Sequence, residues 1–278
     1  MAEIKIKELE MIGFSQANDD EVLKSMSTYG AHHYERLGLV VRKTEGAWLY
    51  DKEGGKFLDC LAAYSAANQG HHNPRIVKAV TDALAGGYGS VISNVVYTDS
   101  LGLFVKKLSK LVPQLGPRFG NNGNKTLLKN GGVESVETAI KMMRYYGWKN
   151  KGIEDGKQEI IVFSNNFHGR MITVVSFSTS RKYKEGFGPL TPGFVTVDYG
   201  DLEGVKKAIN KNTCGILVEP MQGEGGMYIP PDGFLKGLRE LSNKHDLFLV
   251  FDEEQVSGLA FYFGIVPLSI ALILIYLL

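Results

Sequence analysis

The sequence predicts an α/β domain built on a largely parallel sheet, and two observations predict it. From about Tyr29 to Glu254, short apolar runs alternate with stretches of helical period, the order in which strand and helix units follow one another in such folds. Several of the runs are apolar at every position, as suits strands covered on both faces.

The elements can be justified in turn. Asn73 can cap a helix that has Pro74 at its first position; Ile76, Val80 and Leu84 are spaced as a buried stripe, and Gly86 stops it. Leu101, Phe104, Val105, Leu108 and Leu111 form a second stripe, ended by Pro113. Thr126 to Leu128 reads as a short strand, followed by a helix whose stripe is Val136, Ile140 and Met143 and whose end falls near Gly147. Glu159 to Phe163, Phe194 to Val197, Gly215 to Glu219 and Leu247 to Phe251 are strand candidates, each too short for a helix and bounded by polar or glycine-rich turns. Between them Asp201 begins a short helix through Ile209, and Asp232 begins one that carries Phe234, Leu238 and Leu241.

Composition narrows the function classes. The chain has 278 residues, 44% hydrophobic and 22% charged, enough to bury one sizeable core or two small ones. A formal charge of +1 supplies no general field for nucleic acid or an anionic membrane, so any anion must be recognised locally. Cys60 and Cys214 form no CxxC or Cys/His cluster, which argues against structural zinc and fits a reducing compartment. The first 27 residues carry six acids and no arginine, unlike a transit peptide, so a cytoplasmic location is expected.

Three stretches could carry chemistry. In Lys129-Asn130-Gly131-Gly132-Val133-Glu134 a strand would run through two glycines directly into a helix, which points backbone N–H groups and the positive helix end at an anion, a phosphate above all. The same glycines would also serve as a plain turn. Asn166-Phe167-His168-Gly169-Arg170 follows a strand and so lies near the carboxyl edge of the sheet, where open α/β folds bind ligands. There an aromatic ring and an arginine could hold a ring and a carboxylate, while His168 reads equally well as a loop residue without a role. Finally, the strand Leu247 to Phe251 delivers Asp252-Glu253-Glu254-Gln255 to its end, where Asp252 could bind a metal, cap a helix or pair with a protonated ring nitrogen.

Together these stretches resemble a family. Tyr29-Gly30-Ala31-His32-His33-Tyr34, Ala63-Tyr64-Ser65-Ala66-Ala67-Asn68-Gln69-Gly70-His71, Gly132-Val133-Glu134-Ser135, Phe167-His168-Gly169-Arg170, Gly186-Phe187-Gly188-Pro189, Val218-Glu219-Pro220-Met221-Gln222-Gly223-Glu224 and Asp252-Glu253-Glu254-Gln255 occur in the order found in class III aminotransferases. The first two are similar to those of ornithine aminotransferases. The resemblance implies the large domain of a fold-type-I pyridoxal-phosphate-dependent transferase, a mostly parallel sheet flanked by helices. It places an N-terminal segment belonging to the small domain at 1–48 and an incomplete large domain at 49–255. It also implies a cofactor, pyridoxal 5'-phosphate, held by Gly132 and Val133 at the phosphate, Phe167 and Asp252 at the ring and Gln255 at the ring hydroxyl. Arg170 and Tyr34 would grip the α-carboxylate of ornithine, and Tyr64 with Glu224 would line the pocket. The implied reaction moves the distal amine of ornithine to 2-oxoglutarate, in a homodimer with sites at the subunit interface. Acetylornithine, γ-aminobutyrate or putrescine are the alternative donors. His32, His33, His71 and His72 then read as loop positions, with no metal expected.

The sequence departs from the family after Gln255. No lysine follows Lys244, so no residue is assigned the catalytic role of the Schiff-base lysine, and low activity or none is expected of the chain as written. Gly131 stands where the family has Ser or Thr, and Glu254 where it has Ile or Val. Residues 256–278 form an apolar tail unrelated to the family, and Leu259 to Leu278 are twenty residues without a charge, long enough for a helix to span a bilayer. The favoured alternative is read-through of an intron, because Gln255-Val256-Ser257 can be encoded as a splice donor. A membrane-tethered binding remnant and a subunit that poisons full-length partners are the non-enzymatic alternatives.

Overall fold

In the computed structural model, which describes residues 17–64, 66–87, 95–111, 125–253 and 273–276, the chain divides into two compact units, residues 1–90 and 91–278. The first is held largely by local signals. Helix α1 (Asp19–Tyr29) starts where the Asn18 side chain accepts the Glu21 N–H at 2.8 Å, with Asp19, Asp20 and Glu21 against the positive helix end. Three short strands, β1 (Lys43–Glu45), β2 (Trp48–Tyr50) and β3 (Lys56–Leu58), pair antiparallel in sequence order. Helix α2 (Pro74–Ala85) has the expected ends, with Asn73 accepting the Arg75 N–H and Gly86 closing the last turn. Its stripe is not buried as expected: Ile76, Val80 and Leu84 are 39, 54 and 61% exposed. None of the described residues of this unit is buried, so the stripe has no core of its own to enter.

The second unit contains the parallel sheet. Helix α3 (Asp99–Leu111) buries Leu108. The expected strand at Thr126 to Leu128 is absent: those residues join no ladder, and Leu127 remains 66% exposed. Helix α4 (Gly132–Lys149) ends just past Gly147, near where it was expected to. A Cβ on Gly147 would lie 2.7 Å from Cys214 Cβ, so this glycine also lets the helix approach the sheet closely. Strand β4 (Glu159–Phe163) follows, then two helices too short to show a period in sequence, α5 (Ile172–Ser176) and α6 (Arg181–Lys184). Next come β5 (Phe194–Val197), α7 (Leu202–Ala208, capped by Asp201 as expected) and β6 (Thr213–Val218). Helix α8 (Phe234–His245) starts after Gly233, whose φ of +82° few residues with a Cβ adopt, and not from Asp232. Strand β7 (Phe248–Asp252) carries Asp252 as its last residue.

The sheet order is β5-β4-β6-β7-β8, parallel except for the last pair. Side chains alternate in β4, so Ile160 and Val162 pack with Val136, Ala139, Ile140 and Met143 of α4, while Ile161 and Phe163 pack with Val205 of α7 and Phe234, Leu238 and Leu241 of α8. Both faces are therefore covered, as the continuously apolar strands predicted.

Strand β8 (Ile273–Tyr276) pairs antiparallel with β7, with Asp252 opposite Ile273. These four residues belong to the apolar tail, for which a spanning helix had been one expectation. The pairing has a physical reason, because the outer edge of β7 would otherwise present a row of backbone N–H and C=O groups without a strand beside it. Among the described residues, no helix is long and apolar enough to cross a membrane.

The chain leaves β4 for β5 on one side and returns to β6 on the other. The strand order reverses there, and the crevice beyond the carboxyl ends of β4 and β6 is where such folds place ligands. The Asn166–Arg170 loop, Glu219 and Asp252 all stand at that edge of the sheet.

Candidate active site

The amino end of α4 forms one wall. Gly131, extended at φ −133° and ψ 155°, precedes the helix, and its N–H donates to the Glu134 carboxylate at 2.9 Å. With no side chain, Gly131 cannot return the bond, so only half of a capping box is made. The N–H groups of Gly132, Val133 and Glu134 lie in the first turn, where a helix provides no internal acceptor, and the dipole there favours an anion. That donor set fits a phosphate.

The loop after β4 forms the second wall and is held at every residue. The Asn166 side chain donates to the carbonyls of Phe163 and Phe177 at 2.5 and 3.3 Å, and the Phe167 N–H donates to Glu219 Oε2 at 3.2 Å. His168 Nδ1 lies 2.6 Å from Asp252 Oδ2, with both side chains buried. Gly169 has φ +111°, and a Cβ there would stand 2.6 Å from Val133 Cγ2. Only glycine allows the loop to close onto the first turn of α4 in this way. The closure sets Val133 beside the loop whose His168 meets Asp252, so three parts of the sequence come together here.

Carboxylates crowd the floor. Glu219, buried at the end of β6, has its pKa pushed up to about 7, chiefly by burial, with His168 lowering it and Asp252 raising it. Burial and then Asp252 push Glu253 up to about 7 as well. Full charges on Glu219 and Glu253 are thus disfavoured in the fold. His168, which sequence alone left open as a loop residue without a role, is the buried partner of Asp252. No spacing could have disclosed a pair 84 positions apart.

Arg170 is exposed, with its guanidinium carbon 5.9 Å from the centre of the Phe167 ring. Glu224 is also exposed, on a turn closed by the Gln222–Tyr228 bridge. The buried Gln222 amide donates to the Ser164 carbonyl at 2.7 Å and ties that turn to the loop after β4. Tyr34 and Tyr64 belong to the first unit. Tyr34 packs edge-on against His33, and Tyr64 follows two other left-handed residues, Ala62, Ala63 and Tyr64 standing at φ +47°, +47° and +56°. Three consecutive residues with Cβ atoms in that region are strained, and such strain tends to gather where a side chain must be displayed. Gln255 and Glu254 lie outside the described residues. His71 Nε2 is 2.8 Å from Asp59, and among the described residues no group of three His, Cys, Asp or Glu could hold a metal ion.

Comparison with known proteins gives this geometry a context. Residues 29–260 match the family described as aminotransferase class-III. Ornithine aminotransferase 2 of Staphylococcus aureus is 43% identical over 236 residues, 85% of this chain and 57% of the relative. The ornithine aminotransferase of Staphylococcus epidermidis matches to the same extent. Among solved structures, the ornithine aminotransferase of Toxoplasma gondii superposes with a TM-score of 0.81 at 29% identity, over 92% of this chain and 58% of that one. The acetylornithine aminotransferase of Elizabethkingia anophelis superposes with 0.68 at 33% identity, over 90% and 64%. The chain spans a little under three fifths of the length of the curated relatives it matches.

Proposed function

The chain belongs to the class III aminotransferases, a pyridoxal-phosphate-dependent family, and from that premise we propose that its site binds pyridoxal 5'-phosphate and an amino donor of the ornithine class. The observation that carries the proposal is the buried His168–Asp252 pair at the end of β7, in the same site as the amino end of α4. Gly132 and Val133 take the phosphate through their N–H groups, and Phe167 takes the ring against its side chain. Asp252 holds the proton on the ring nitrogen by a charge-assisted hydrogen bond, and the contact with His168 orients that side chain. Gln255 serves the ring hydroxyl. Bound in this way, pyridoxal phosphate supplies an electron-withdrawing ring for carbanion chemistry at the donor carbon. Arg170 takes the α-carboxylate of ornithine, Glu224 lines the donor pocket, and the distal amine is the one transferred, to 2-oxoglutarate. Acetylornithine is the competing donor, favoured by the similarity to the Elizabethkingia enzyme.

Binding of the cofactor tests this without requiring turnover. Titration of pyridoxal phosphate, followed by quenching of tryptophan fluorescence, should show Asp252→Asn weakening affinity by about 10- to 100-fold, the worth of one hydrogen bond to a charged group. Asparagine keeps an acceptor for His168, so the fold should survive, and circular dichroism checks that. Equal affinity in the two proteins would remove Asp252 from the ring.

A further inference from the structure

The Arg170 guanidinium sits in a corner made by two aromatic rings, only one of which belongs to the expected site. Its central carbon is 5.9 Å from the Phe167 ring centre and 5.6 Å from that of Tyr183, and the two rings meet edge to face at 5.9 Å. Both distances from the cation lie within cation–π reach. The backbone under each ring is tied down: the Phe167 N–H donates to Glu219, and the Tyr183 N–H, on the turn of α6, donates to the Ser180 carbonyl at 3.2 Å. A cation–π contact uses the faces of the rings and none of the guanidinium N–H donors, so it orients an arginine without itself occupying the fork.

We propose that Tyr183 is a positioning residue that fixes Arg170 against Phe167 and thereby sharpens preference for donors that carry a carboxylate. The proposal rests on the reading that Arg170 takes that carboxylate. Tyr183 contributes its ring and not its hydroxyl, so Tyr183→Phe retains the effect and Tyr183→Leu loses it. Without the Tyr183 ring Arg170 still carries its charge but has lost one of the contacts that order it, and long side chains lose considerable rotamer freedom when a carboxylate is bound.

The test compares ornithine with putrescine, which is ornithine without the carboxylate, on the purified 278-residue chain. No cofactor is added, so that neither amine reacts with its aldehyde. Affinities are read by ligand-observed NMR at millimolar concentration. The expected results are tighter binding of ornithine than of putrescine, loss of that preference in Arg170→Gln, a reduction of about threefold in Tyr183→Leu, the factor a cation–π contact at an exposed site carries, and no reduction in Tyr183→Phe. Putrescine affinity should stay constant throughout, which a merely misfolded variant would not achieve. If Arg170→Gln loses the preference and Tyr183→Leu keeps it, the role of Tyr183 is overturned while that of Arg170 stands. If Tyr183→Phe falls as far as Tyr183→Leu, the hydroxyl is responsible and the cation–π account is wrong. A wild-type chain with no preference, or one that Arg170→Gln leaves intact, removes the carboxylate reading and this proposal with it.

Discussion

Ile216, Leu238 and Leu249 of the second unit are wholly shielded from solvent, whereas in the first unit no described residue is buried. The two regions use similar local chemistry with different consequences. Helix α2 has an asparagine cap, a proline in its first turn and a glycine at its end, and it obeys all three even though its apolar stripe finds no cover. Helix α4 begins on a glycine that offers no side-chain cap and continues through a second glycine that ought to weaken it. It persists because Val136, Ala139, Ile140 and Met143 enter a core against the sheet. Local signals decide where an element ends when nothing packs against it. Packing decides when a sheet is near.

The most direct way to break this contrast is to remove a side chain from each region and follow each with its own tryptophan, Trp48 on β2 and Trp148 on α4. Leu238→Ala, at a site with no exposure, should destabilise the second unit by about 2–5 kcal/mol in urea denaturation followed through Trp148. Val80→Ala in α2, half exposed, should change the transition followed through Trp48 by less than about 0.5 kcal/mol. Comparable losses at the two positions would mean that the stripe of α2 is covered in solution.

A smaller effect comes from the carboxyl groups beside Asp252, which only the second unit contains. Glu219 titrates near 7 in the fold against an ordinary value near 4.5, chiefly because it is buried. The groups that face it are His168, Asp252 and the N–H groups of Phe167 and Gly223. Because the folded state binds this proton more tightly, the stabilisation is fully present below the unfolded value and is lost as pH rises through about 7, to a limit of roughly 3 kcal/mol. Glu253 acts in the same direction. Denaturation followed through Trp148 should therefore show lower stability at pH 8 than at pH 5, and Glu219→Gln should flatten the profile. A profile that Glu219→Gln leaves unchanged would place the titration elsewhere.

The same contrast explains what could be read without coordinates. Strands β4 and β5 fall where their apolar runs lie, and α7 starts at Asp201, because short parallel strands and side-chain caps carry their information locally. The parts that escaped depend on distant partners. The packing reason for Gly147 shows only with Cys214, 67 positions on, which requires a bare backbone there, and the His168–Asp252 contact exists only because β7 delivers Asp252 beside the loop. Thr126 to Leu128 has the composition of a strand but no ladder to join. Tyr183 lay on a helix of four residues, too short for any period to reveal which way its ring would face.

The smallest predicted effect separates capping from burial within one helix. Asn73 accepts the Arg75 N–H at 3.0 Å at the start of α2, in a unit where side chains gain little from packing. Asn73→Ala leaves that donor to water and should cost about 1 kcal/mol in the transition followed through Trp48, more than Val80→Ala from the same helix. In the second unit the order is expected to reverse, with Asp201→Ala at the cap of α7 costing less than Leu238→Ala in the core. If Asn73→Ala is silent while Val80→Ala is not, then α2 is held by a surface packed on its stripe, and local signals do not govern the first unit.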